Sequence, residues 1–299
     1  MKYLYYPGCS SKGTSRAYEE ALLSVCRKLG VELEEIEDWN CCGATSVVAV
    51  NKVLAFTLSA RNLALAEPKG KEMMTPCPSC WLMLTKVNMA FHEGVALADK
   101  VRQALAAGGL NYGGTVNVHH LLDFLVNVVG LDKVKKAATD SLKGHRIAPY
   151  YGCQIVRPYA ESDDTYNPQN MEKLIEALGA KVAQFEGKTA CCGGALMATR
   201  KDDGVEMSRN ILKSIKRASP TIVVTPCPLC QLNLELAEFD EKQPWKETEL
   251  PVLNLAQLVG LGLGLTPKEL GLSRSLLPGV EKKIKTAKKD SASLETAQV

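Results

Sequence analysis

Ten of the eleven cysteines in this 299-residue sequence fall into two sets with one grammar. Cys9, the pair Cys41-Cys42, and then Cys77 and Cys80 form the first set. Cys153, the pair Cys191-Cys192, and then Cys227 and Cys230 form the second. The gap between the lone cysteine and the pair is 31 residues in one set and 37 in the other; the gap from the pair to the Cys-x-x-Cys is 34 in both. The last motif reads TPCPSC at 75–80 and TPCPLC at 225–230. A Cys-x-x-Cys alone is compatible with zinc, with thiol redox chemistry or with iron and sulfide. Five thiolates exceed the four that a tetrahedral zinc accepts and the four of an ordinary [4Fe–4S] cube. Each set therefore suggests an unusual iron–sulfur cluster, or four ligands and one reactive thiol. Zinc remains the alternative metal. A dithiol shuttle needs two cysteines and would leave Cys9, Cys41 and Cys42 idle. Cys26 has no counterpart in the second set and lies on the apolar stripe of a helix, where a buried, inert thiol is expected.

The elements that must position these thiols repeat as well. YYPGCSS (5–11) answers YYGCQI (150–155), and TVNVHHLLDFLV (115–126) answers PVLNLAQLVG (251–260). Repetition over this span points to duplication of a whole domain. The expected division is 1–143, 144–279 and a polar tail 280–299, whose Ser, Ala, Lys and Thr content favours disorder, although 281–285 can extend a helix. Each repeat reads βαβαβα, an α/β layer with a small, mostly parallel sheet. Ala17, Tyr18, Ala21, Leu22, Val25, Cys26 and Leu29 form one helical stripe ended by Gly30. One long helical segment is expected from the first Cys-Cys-Gly to about Ala66. KEMMTP and TIVVTP are short strands that stop at proline. All ten repeated cysteines then fall at the carboxyl ends of strands, where parallel sheets bind ligands. Both Cys-x-x-Cys motifs open a helix, with Pro78 and Pro228 in the first turn, and residues i and i+3 share a helix face. The Cys-Cys pairs need a sharp bend for both sulfurs to reach one object, and Gly43, Gly193 and Gly194 permit it.

Composition excludes several classes. A net charge of +3 gives no support to a nucleic-acid surface. No apolar run reaches the roughly 18 residues of a membrane span, and no signal peptide is visible. Eleven cysteines without secretion signals argue against structural disulfides and for a cytoplasmic metal or thiol protein. GLGLGL (260–265) has Leu265 where a dinucleotide fingerprint needs its last glycine, so it reads as a helix end.

On these cysteines the sequence resembles the cysteine-rich CCG domain family and, within it, the B subunit of heterodisulfide reductase. The resemblance covers residue 1 to about 275, including the ending VLNLAQLVGLGLGLTPKELGL (252–272). WNCCGAT (39–45) is similar to the bacterial and sulfur-oxidising branch rather than the methanogen branch. The resemblance implies two tandem, pseudo-symmetric, Rossmann-like domains and two noncubane [4Fe–4S] clusters. Cys9, Cys41, Cys42, Cys77 and Cys80 would hold the first. Cys153, Cys191, Cys192, Cys227 and Cys230 would hold the second. It further implies that a disulfide is cut between facing clusters, the mixed disulfide of coenzymes M and B in methanogens. Two further members of the same complex would deliver the electrons, one a ferredoxin-like iron–sulfur protein and the other a flavin-binding protein. A protein-bound sulfur species, or a non-catalytic electron-transfer or zinc-scaffold role in a respiratory complex, are the alternatives. For substrate contacts, Lys12, Arg16 and Arg157 follow the first cysteine of each repeat closely. His119 and His120 end a strand as candidate proton donors, or as packed or helix-capping residues.

Overall fold

The computed structural model describes residues 1–160, 163–240 and 249–286. Four strands form a first sheet: β1 (Lys2–Tyr5), β2 (Glu32–Glu35), β3 (Met73–Thr75) and β4 (Val118–His120), in the order β2-β1-β3-β4. A second sheet repeats this with β5 (Arg146–Pro149), β6 (Lys181–Val182), β7 (Ile222–Thr225) and β8 (Val252–Asn254), in the order β6-β5-β7-β8. Every pairing is parallel, so the sheets exceed the expectation of mostly parallel. The central strands are short apolar runs buried on both faces, such as Met73-Met74 and Ile222-Val223-Val224, as a sheet covered by crossover helices requires.

The segment after the first Cys-Cys-Gly is two helices, Ser46–Val50 and Lys52–Ala66, where one was expected. Asn51 breaks the run with extended backbone, and its side chain accepts from Leu54 N to start the second helix.

The two halves are held by an exchange of helices. The stripe of helix Arg16–Lys28 is buried, but its partner is the helix Leu255–Gly262 of the other half. Helix Asn170–Ala177 packs in return against the segments Leu121–Asp123 and Leu131–Ala137. One apolar core therefore runs through both halves, with Leu22, Val25 and Leu125 in the same cluster as Leu174, Leu255 and Leu258. The glycines of GLGLGL serve this packing: a Cβ on Gly262 would stand 2.7 Å from Leu178. The helix that the sequence allows at 281–285 is formed. Residues 280–286 are helical, with Val280 and Ile284 buried in the shared core; 287–299 lie outside the described residues. No helix among the described residues is long and apolar enough to cross a membrane.

Candidate functional site

All ten repeated cysteines follow a strand end. Cys9 stands after β1 in the short helix Gly8–Lys12, and Cys41-Cys42 follow β2. Cys77 is the N-cap of helix Pro78–Glu93, with nearly the backbone angles of Cys227, the N-cap of helix Pro228–Glu238 (φ −104, ψ 120 and φ −106, ψ 123). Proline fills the first position of both helices, where no amide donor is missed. The bends at the cysteine pairs use positive φ at Gly43, Gly193 and Gly194.

Three further devices recur in both halves, and none is evident from cysteine spacing. Tyr6 Oη donates to Asn40 O at 2.7 Å and Tyr150 Oη to Ala190 O at 2.8 Å, each fixing the residue ahead of a cysteine pair. Ser59 Oγ donates to Cys42 O at 2.8 Å and Ser208 Oγ to Cys192 O at 2.9 Å. Gly8 and Gly152 leave room for a sulfur: a Cβ on either would come 2.9 Å from Cys80 Sγ or Cys230 Sγ. The Tyr-x-Gly-Cys pattern shared by 6–9 and 150–153 carried the signal for the tyrosines and glycines; the serines had none.

Within each set the sulfurs meet in pairs. Cys42 Sγ lies 3.4 Å from Cys80 Sγ, Cys192 Sγ 3.5 Å from Cys230 Sγ, and Cys41 Sγ 3.7 Å from Cys9 Sγ. Among the described residues no three His, Cys, Asp or Glu side chains surround one ion position. The pairing splits thiol acidities. Hydrogen bonds from Cys42 and Cys9 pull Cys41 down to about 2, while Cys9 is pushed up. A hydrogen bond from Cys80 lowers Cys77 to about 7, and one from Cys153 lowers Cys191 to about 6, with smaller help from the Gly193 amide and the Arg157 charge. Cys80, Cys153 and Cys230 move up as the donors of these pairs. Cys42 is pushed up to about 12, chiefly by Cys41, whereas Cys192 is lowered, chiefly by Cys230. Each pair thus shares a proton that a metal would displace.

A cavity of about 190 Å³ opens between the halves. Pro78 and Ser79, inside the first Cys-x-x-Cys, form one wall with Thr45. All five cysteines of the second set, Cys153, Cys191, Cys192, Cys227 and Cys230, line the other. Gln154, which sequence reasoning passed over, also lines it, and its Oε1 has no hydrogen-bond partner among the described residues.

The candidate substrate contacts stand elsewhere. Arg157 is beside the second set, its guanidinium donating to Thr189 O. Lys12 is paired with Glu19 and Glu35 at the surface. Arg16 lines a separate inter-half cavity of about 360 Å³ with Glu235 and Arg274. His119 is tied to Asp123 at 2.9 Å and Glu72 at 3.5 Å. His120 caps a helix: its Nδ1 accepts from Leu122 N, its Nε2 lies 3.0 Å from Pro76 O, and burial lowers its pKa to about 4. None of the five lines the cysteine cleft. Cys26 is buried and pushed up to about 12 by desolvation. It is an inert core thiol.

A parallel sheet repeated twice, each copy carrying five cysteines at its carboxyl rim, defines a duplicated cysteine-rich domain. The family model for the cysteine-rich domain, CCG, matches residues 3–85 and again 147–235, and the chain belongs to that family. It is 34% identical over 279 residues to the 8-methylmenaquinol:fumarate reductase membrane anchor subunit of Wolinella succinogenes, covering 92% of this chain and 97% of that protein. It is 28% identical over 286 residues to the B subunit of the ferredoxin/F(420)H(2)-dependent CoB-CoM heterodisulfide reductase of Methanosarcina acetivorans, covering 94% and 95%. A heterodisulfide reductase B-subunit-like protein of Archaeoglobus profundus is 29% identical over 278 residues, covering 90% and 93%. Among solved structures, a hypothetical protein from Helicobacter pylori superposes with a TM-score of 0.73 at 13% identity. The match spans 91% of this chain and 51% of that one, and it shows the fold alone.

Proposed function

We propose that the chain is the iron–sulfur subunit of a heterodisulfide-reductase-like complex that reduces, or forms, a disulfide or related sulfur bond. The two cysteine-rich domains are assigned to 1–143 and 144–279. Cys9, Cys41, Cys42, Cys77 and Cys80 hold one noncubane [4Fe–4S] cluster, and Cys153, Cys191, Cys192, Cys227 and Cys230 hold the other. The donor set fits: it is all sulfur, backbone glycines leave space against Cys80 and Cys230, and Gly43 N points at Cys41 Sγ at 3.5 Å.

The observation that carries this reading is the cleft. Pro78 and Ser79, which join two thiols of the first set, face all five cysteines of the second across one cavity. Reduction of a disulfide takes two electrons and two protons and releases two thiols. Two clusters, each a one-electron centre, would supply the electron pair at a shared substrate. The protein holds the substrate between the rims, with Gln154 and Thr45 as polar contacts, and limits the space to a slim disulfide. Electrons come from a ferredoxin-like iron–sulfur partner and a flavin-binding partner, in a cytoplasmic complex. The WNCCGAT run supports a substrate of the bacterial, sulfur-oxidising type.

A second reading is an electron-transfer subunit of a respiratory oxidoreductase, favoured by the 34% identical fumarate reductase relative. Structural zinc is the alternative metal. Anaerobic purification followed by iron, sulfide and zinc analysis tests the cofactor, with about eight irons and eight sulfides per chain expected. One or two zincs without sulfide would overturn the cluster reading. Dye-coupled reduction of a mixed disulfide by the loaded chain then separates disulfide chemistry from plain electron transfer.

A further inference from the structure

The two cysteine sets match in ligand type and spacing, yet the side chain beneath them differs. On the helix that each Cys-x-x-Cys opens, the sixth residue is Met83 in the first half and Asn233 in the second. Both are buried, Asn233 completely. Asn233 Nδ2 lies 2.9 Å from Gly194 O, 3.3 Å from Cys192 O and 3.5 Å from Cys192 Sγ. Its Oδ1 has no hydrogen-bond partner among the described residues.

This arrangement fixes the orientation of the amide. The reverse orientation would set Oδ1 against two carbonyl oxygens and a thiolate. A buried acceptor without a partner costs about 1–3 kcal/mol. Met83 shows that an apolar side chain packs at the same point in the twin fold, so burial does not require an amide here. The donor is kept against that cost, and what distinguishes it from methionine is its N–H directed at Cys192 and at the bend that carries it.

A donor aimed at a ligating thiolate stabilises negative charge on the sulfur. An iron–sulfur cluster gains negative charge when reduced, so such a donor favours the reduced state and raises the potential. We infer that Asn233 is a positioning residue that, by donating to Cys192, makes the cluster of the second half easier to reduce than that of the first. The inference rests on the proposed cluster reading. Its consequence is a polarity in the cleft: an electron entering the protein resides on the second cluster first, and the two sulfurs of a substrate meet unequal centres.

Two reciprocal variants test it, N233M, which copies the first half, and M83N, which copies the second. The full chain is purified anaerobically, its iron and sulfide are assayed, and both midpoint potentials are read by redox titration with EPR detection. N233M is expected to shift one potential downward and leave the other unmoved; M83N is expected to shift the other potential upward. Full iron content with both potentials unchanged in both variants overturns the inference. If N233M fails to load its second site, M83N decides alone, and no upward shift overturns it. A wild-type chain without iron and sulfide removes the cluster reading itself, an outcome distinct from unmoved potentials.

Discussion

In the first half, the loop ahead of the cysteine pair is fastened at the surface. Arg61 donates to Asp38 O at 2.6 Å and Asn40 Oδ1 at 3.0 Å and pairs with the Asp38 carboxylate, which is largely exposed. In the second half, the residue three places before the pair is Lys188, and it is buried. Its Nζ reaches Glu172 Oε1 and Pro168 O, each at 2.6 Å, while Glu172 also takes the Tyr151 hydroxyl. Both loops deliver two cysteines to the same place. The tyrosine, glycine and serine contacts that shape the rim were kept in both copies, whereas the fastening diverged because any firm anchor serves the rim equally.

The largest effect should come from the buried anchor. Lys188→Met leaves Glu172 buried and unpaired and should lower stability by about 3–5 kcal/mol, whereas Asp38→Ala, at an exposed pair, should cost under about 1 kcal/mol. Denaturant unfolding measures both, and equal losses would break the contrast. The double variant K188M/E172L, which removes both charges, should recover most of the loss.

A pH effect should follow from another one-sided feature. Glu235 and Glu238 are raised to about 7, mainly by desolvation, and the first half has Thr85 and Asn88 at the matching positions. An acid whose folded pKa is raised favours the protonated fold. Stability is therefore full below about pH 4.5 and declines as pH rises toward 7, by on the order of 1–3 kcal/mol per carboxyl. Glu235→Gln and Glu238→Gln should each flatten that slope; a slope unchanged in both variants would assign it to other groups.

Equal effects are expected where the halves agree. Gly8 and Gly152 have φ of 70 and 71, and each Cβ would press on a cysteine sulfur. Gly8→Ala and Gly152→Ala should each cost at least about 1–2 kcal/mol and reduce iron incorporation at their own site. A loss confined to one half would mean that the rims are not equivalent.

The smallest effect concerns the helix cap after the fourth strand. His120 holds that place in one half and Asn254 in the other, where Asn254 Oδ1 accepts from Gln257 N. His120→Asn should be nearly neutral in stability and His120→Ala should cost about 1 kcal/mol. If His120→Asn abolished disulfide reduction without loss of stability or iron, the ring would be a proton donor and not only a cap.

Much of the site was legible because its rules are local. A strand ended by proline, a Cys-x-x-Cys with proline at the first helical position, and a glycine after a cysteine pair each specify backbone within a few residues. The five-cysteine rim followed from those signals read twice. Asn51 escaped because it resembles any polar helix residue until its extended backbone is seen. His120 was readable as a cap but equally as a proton donor, since the choice depends on what surrounds the ring.

By itself, the sequence determined the duplication, the parallel α/β layers and the rim on which ten cysteines stand, since hydrophobic period and turn chemistry act over short stretches of chain. Only the tertiary structure decided that helix Arg16–Lys28 packs on a helix of the other half as well as on its own sheet, that Arg16 belongs to a different cavity from the cysteines, and that Asn233 stands under Cys192 where Met83 stands in the twin. An apolar stripe specifies that a face is buried, not against what, and the hydrogen bonds of a buried amide depend on atoms brought together from distant parts of the chain.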